Sequence, residues 1–284
     1  MPYFQSSQLR QYYRVTGQGE TLVLLHGLGS SGADWAFQVE ALSAHFRLIA
    51  PDLRGSGLSD APAGPYRIDR FANDVWDLLD SLGEQQVHLL GYSMGGAVAL
   101  EMALQRPDQI GRVMTINSLP CYRINTWRKW LEVFGQLTLV RAIGLRRTAT
   151  LVAKRMFPAP HQQAMRERVI SVVGGLPQQQ YLHSVRALIG WSAIDRLHAL
   201  DVPMLMLAAE HDYTPLAEKH QYAQRSGAQL AVVRGSRHGT PFDAIDASNA
   251  CALAFFQGSQ LPADDVLVTD APHRTPTSSP AEFV

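Results

Sequence analysis

The stretch Thr21 to His26 is a nearly unbroken apolar run that stops at Gly27, and the same pattern recurs along the chain. Phe46 to Ala50 ends at Pro51, Val87 to Leu90 ends at Gly91, and Val113 to Ile116 ends at Asn117. Runs this short and this apolar suit strands buried on both faces, as in a parallel sheet. Between them the apolar spacing changes to three and four residues: Phe71, Val75, Leu78, Leu79 and Leu82 follow Asp69, and Ala97, Leu100 and Leu104 precede Pro107. Alternation of this kind predicts an α/β chain with right-handed crossovers and a mostly parallel, doubly wound sheet.

The alternation stops after Asn117. Residues 119–190 hold no convincing strand and read as short helices broken by Pro120, Pro158, Pro160 and Pro177. It resumes with a strand at Pro203 to Ala209, a helix at Leu216 to Arg225, a strand at Leu230 to Val233 and a helix at Asp243 to Phe256. The expected organisation is therefore a core of 1–118 and 191–257 with a helical lid at 119–190. Such an insertion belongs over the carboxyl ends of the strands, where open α/β sheets bind ligands. From Gly258 the composition turns to Pro, Ser, Thr, Asp and Ala, and 258–284 is expected to be a disordered tail.

Composition excludes several classes. The chain has 284 residues, 25 of them basic and 25 acidic, and this balance argues against a nucleic-acid binder. Two distant cysteines, Cys121 and Cys251, form no disulfide framework and are too few for a cysteine metal cluster. No metal and no cofactor is expected. Neither a signal peptide nor an apolar stretch of bilayer length is visible, so the expected location is the cytoplasm.

The chemistry concentrates at strand ends. Gly91-Tyr92-Ser93-Met94-Gly95-Gly96 fits Gly-x-Ser-x-Gly and lies between a predicted strand and a predicted helix, the context of a nucleophile elbow. A sharp turn there exposes the hydroxyl above the positive end of the helix dipole. The plain alternative is a serine at an ordinary strand-to-helix turn. A serine nucleophile needs a base. His238, in Ser236-Arg237-His238-Gly239, follows the last predicted strand on the same side of the sheet. His26 precedes a tight turn and reads as structural; His45, His88, His161, His183, His198, His220 and His273 fall in predicted helices, strands or tail. Asp212 follows the strand ending at Ala209 and lies between Ser93 and His238, giving the order Ser, acid, His; Glu210 is the rival acid. The oxyanion donors are expected at the N–H of Met94 and the N–H of Leu28, in the glycine-rich turn His26 to Gly32. Gly27, Gly29 and Gly32 also have dinucleotide-loop spacing, with Asp52 about twenty residues on, but no helix opens directly after them.

On these blocks, together with Pro51-Asp52-Leu53-Arg54-Gly55-Ser56-Gly57, the chain resembles the α/β-hydrolase superfamily over about residues 10–257, the middle block apart. Within it the resemblance is to cofactor-free bacterial serine esterases, including carboxylesterases of acyl-carrier-protein esters, carbon–carbon bond hydrolases and perhydrolases. It implies a cofactor-free serine hydrolase with structural roles for Asp52 and Arg54, and with the apolar lid segment the expected substrates are medium or long acyl esters. Cleavage of vinylogous diketones, a lysophospholipase or lipase activity, perhydrolysis and a non-catalytic ligand receptor remain open alternatives.

The lid carries an asymmetric charge. Residues 119–190 contain eleven basic and two acidic residues, a net +9, so the remainder carries 14 basic and 23 acidic residues, a net −9. Trp127, Trp130, Arg146 and Arg147 are the candidate substrate-binding residues of this segment. An apolar inner face could take an acyl chain, and the basic outer face an anionic partner such as a carrier protein, a coenzyme or a lipid headgroup. A solvated basic surface is the alternative.

Overall fold

A computed structural model describes residues 2–269, with the side chains of Arg128 and Glu132 left aside. Its centre is one nine-stranded sheet: β1 (Tyr3–Gln5), β2 (Arg10–Thr16), β3 (Thr21–Leu25), β4 (Arg47–Pro51), β5 (Val87–Tyr92), β6 (Ile110–Ile116), β7 (Met204–Ala209), β8 (Gln229–Val233) and β9 (Val266–Thr269). The spatial order is β1-β2-β4-β3-β5-β6-β7-β8-β9. From β4 to β8 every pairing is parallel, whereas β1–β2, β2–β4 and β8–β9 are antiparallel.

The central strands are buried on both faces, which explains their continuous apolar sequence. On one face α2 (Ile68–Leu82) and α3 (Met94–Gln105) cover the sheet with Phe71, Val75, Trp76, Val98 and Met102. On the other, α1 (Ala36–Ser43) and α10 (Ile245–Phe256) contribute Leu42, Cys251, Phe255 and Phe256. Each large apolar side chain buried in these layers stabilises the fold by roughly 1.5–3 kcal/mol. The remaining core helices are α8 (Leu216–Ser226) and the single turn α9 (Thr240–Asp243).

The segment between β6 and β7 folds as α4 (Trp127–Ile143), α5 (Leu145–Met156), α6 (Gln163–Gly174) and α7 (Gln178–Leu188). It has its own apolar cluster of Val140, Leu145, Tyr181, Leu182 and Val185. Ion pairs tie it to the core at Arg168–Asp34 (2.7 Å) and Lys129–Glu218 (2.6 Å).

The tail expectation needs a correction. Val266–Thr269 is a strand paired along β8, with Val266 buried. Its isolated valines and leucine are too few for an alternating signature, and the strand forms because β8 offers an edge. Residues 270–284 lie outside the described residues. The strands β1 and β2 were also not legible, because β2 mixes Arg, Gln and Tyr along an antiparallel margin of the sheet.

Candidate active site

Ser93 stands between the end of β5 and the start of α3 with φ 51° and ψ −115°. This backbone conformation costs an L-residue about 1–3 kcal/mol and needs neighbours that enforce it. They do: a Cβ on Gly91 would lie 2.4 Å from the Gly95 carbonyl oxygen, and one on Gly95 would lie 2.0 Å from the Leu25 carbonyl oxygen. The two glycines flanking the serine are thus required by contact between β3, β5 and α3.

His238 follows β8 and points its Nε2 at the Ser93 Oγ, 3.1 Å away. Its Nδ1 is 2.7 Å from an Asp212 carboxylate oxygen. An ionised carboxylate only accepts, so Nδ1 carries the proton and Nε2 is free to accept from the serine. Burial alone would raise the Asp212 pKa, but the hydrogen bond and charge of His238, with the Lys219 ammonium, outweigh it and bring it to about 2. Lys219, on α8, is 1% exposed and donates to the second Asp212 oxygen at 2.6 Å. Burial lowers the Lys219 pKa, and its contact with Asp212 opposes that. The rival acid Glu210 instead accepts from the Gly235 N–H at 2.8 Å.

The Leu28 and Met94 N–H groups donate to no other residue among the described residues. Met94 opens α3, where the first N–H groups of a helix have no internal acceptor. His26 supports the other donor. It is buried, its Nδ1 faces the Gly27 carbonyl at 2.9 Å, and its Nε2 accepts from the Leu53 N–H at 3.0 Å. Burial lowers its pKa and favours the neutral ring that these two bonds require. Asp52 is occupied by the N–H groups of Gly32 (2.7 Å) and Leu58 (2.8 Å), which leaves no carboxylate for a ribose and disposes of the dinucleotide reading. Arg54 forms a buried bidentate pair with Asp74.

Ser93, Asp212 and His238 open into a cavity of about 590 Å³. Its walls come from core and lid together: Leu28 and Phe242 from the core, and Leu119, Leu145, Val152, Val169 and Val172 from the segment 119–190. The lid residues singled out from sequence are elsewhere. Trp127 is 73% exposed and Trp130 52% exposed, and neither borders the cavity; nor do Arg146 and Arg147, which face solvent. The cations that reach the cavity are Arg155 and Arg168. Helix α4 turns its Trp127, Trp130, Leu131 and Phe134 stripe outward, and sequence spacing cannot tell the outer face of a lid from its inner one.

Several residues that shape the site gave no sequence signal. Asn117 has φ 47° and bridges three segments: its Nδ2 donates to the His238 carbonyl (2.8 Å) and to Thr240 (2.7 Å), and its Oδ1 accepts from the Ala209 N–H (2.7 Å). The Tyr92 hydroxyl also donates to the His238 carbonyl, at 3.0 Å. Tyr213 stacks on the His238 ring at 4.5 Å with 22° between planes. Position beside Ser93 and Asp212 was the one available hint for Tyr92 and Tyr213. Among the described residues no group of three or more His, Cys, Asp or Glu is placed to hold a metal ion. No helix among the described residues is long and apolar enough to cross a membrane.

Comparison with known proteins agrees with this architecture. The protein named carbamate hydrolase RutD of Caulobacter sp. strain K31 is 28% identical over 261 residues, 87% of this chain and 96% of its own length. The enol-lactonase of Burkholderia xenovorans LB400 superposes with a TM-score of 0.82 at 27% identity, covering 90% of this chain and 100% of the other. The esterase EaEST of Exiguobacterium antarcticum gives a TM-score of 0.82 at 21% identity, covering 90% and 98%, a likeness of fold. The alpha/beta hydrolase fold model matches residues 20–244. With Ser93 at the elbow of β5 and α3 and a lid over the strand ends, the chain belongs to the α/β-hydrolase fold family.

Proposed function

We propose that the protein is a serine hydrolase of carboxylic esters with medium or long acyl groups. The observation that carries this is the line Asp212, His238, Ser93, with contacts of 2.7 and 3.1 Å, opening into a largely apolar cavity of about 590 Å³. That volume falls within the roughly 300–1,000 Å³ usual for small-molecule sites. Ser93 Oγ attacks the carbonyl as its proton passes to His238 Nε2. The negative oxygen is held by the N–H groups of Leu28 and Met94. His238 then protonates the departing alkoxide, and water, deprotonated by the same ring, releases the acid from Ser93. Asp212 fixes the ring's tautomer and stabilises the imidazolium.

The named relatives support acyl chemistry of this kind. A lactone is an ester closed on itself, and a carbamate presents the same carbonyl with nitrogen on its acyl side. The test is turnover of a p-nitrophenyl ester series beside an aryl carbamate and a vinylogous diketone. Ser93→Ala is expected to lose roughly 10⁴-fold or more in kcat on the esters. Retained turnover would overturn the assignment of Ser93, and faster cleavage of the diketone than of any ester would overturn the ester class.

A further inference from the structure

The charges lining the cavity are matched except for one. Asp34 is bound by Arg168 at 2.7 Å and by the Ser30 hydroxyl. Asp212 is bound by Lys219 and His238. The cavity tyrosines 92, 122, 181 and 213 are held neutral, since burial pushes their phenol pKa values up. Arg155, on α5, is exposed to solvent on one side and lines the same cavity on the other, and it has no carboxylate partner among the described residues. Its guanidinium carbon lies 4.5 Å above the centroid of the Tyr213 ring, whose other neighbour is His238, with ring centroids 4.5 Å apart.

This arrangement has a chemical meaning. The Tyr213 ring face holds the guanidinium at this distance by cation–π attraction, and the guanidinium keeps its N–H donors in a planar fork. The complement of such a fork is a carboxylate. Resting on the ideas that Ser93 is the nucleophile and esters the substrates, we propose that Arg155 anchors a carboxylate on the substrate, so that the preferred esters or lactones carry a free acid group a few bonds from the scissile carbonyl. The apolar wall of Val152, Val169 and Val172 then holds the methylene spacer.

A matched pair of substrates tests this: mono-p-nitrophenyl adipate and p-nitrophenyl hexanoate share a leaving group and a chain length and differ in the terminal carboxylate. The wild-type ratio of kcat/KM, adipate over hexanoate, is expected to exceed one by about tenfold, carried by KM. Arg155→Met is expected to bring that ratio down by about tenfold, and Arg155→Lys to restore part of it. The ratio is taken within one preparation, so a partly folded variant does not distort it. A wild-type ratio at or below one, or a ratio unchanged in Arg155→Met, overturns the proposal. If neither ester is turned over, the ester reading fails by itself. Calorimetric titration of Ser93→Ala with monomethyl adipate and with methyl hexanoate, which differ only in the free carboxylate, then decides Arg155 alone. Tighter monomethyl adipate binding that is lost in the Ser93→Ala/Arg155→Met double variant supports it, and equal binding of the two overturns it.

Discussion

Asp212 accepts from His238 on one oxygen and from Lys219 on the other, and both it and the lysine are buried. Its carboxyl, normally near 3.8, is held at about 2. A carboxylate with a depressed folded-state pKa stabilises the fold above its unfolded value and loses that contribution as pH falls through the folded value. Replacing it with Asn leaves a buried ammonium without a partner, a change that costs about 3–5 kcal/mol in comparable buried pairs. Denaturant unfolding of wild type and Asp212→Asn should therefore show a wide gap at neutral pH. The gap should close between about pH 4 and pH 2, where the wild-type carboxyl also becomes neutral. A gap that stays constant over that range would mean that Asp212 does not depend on its ionised form for stability.

The strand β9 illustrates how an element can be made by its neighbour. Leu230 to Val233 pair with Thr269 to Val266, so that the four-residue β9 covers β8 and becomes the short edge of the sheet. An open edge strand exposes a ladder of unpaired N–H and C=O groups. A chain ended after Gln260 is expected to melt several degrees below one ended after Thr269 and to scatter more light on heating; equal melting temperatures would show that β9 contributes nothing. The lid helices depend on neighbours too. Phe157 at the end of α5 packs where a Cβ on Gly239 would lie 2.5 Å from its ring, directly beside His238. The lid is thus seated on the loop that carries His238, and the wall of the candidate site is shared between segments far apart in sequence.

Zero formal charge conceals a dipole, with +9 on 119–190 and −9 on the remainder. The positive part covers the mouth of the cavity. Potentials of this origin steer charged ligands and are screened over about 8–10 Å at physiological salt. For an anionic ester, kcat/KM should fall as sodium chloride is raised, whereas that for its neutral counterpart should stay level. Reversing the exposed Arg146 and Arg147 to Glu should flatten the salt dependence without contact with substrate, because the effect is one of field. An anionic ester with no salt dependence would show that the lid charge is merely a solvated surface.

Short apolar runs marked the parallel strands, since a strand buried on both faces has no polar position to spare. The turn glycines and the chain order of serine, acid and histidine marked Ser93, Asp212 and His238 at three strand ends, because these requirements act over a few neighbouring residues. Which lid side chains face the substrate was not encoded locally. Arg155 lines the cavity while Arg146 and Arg147, on the same helix, do not, and the difference is set by how α5 lies against Tyr213. Asn117, Lys219 and β9 were hidden for the same reason: each acquires its role from a partner distant in the chain, and local spacing carries no record of a contact made only when the chain is packed.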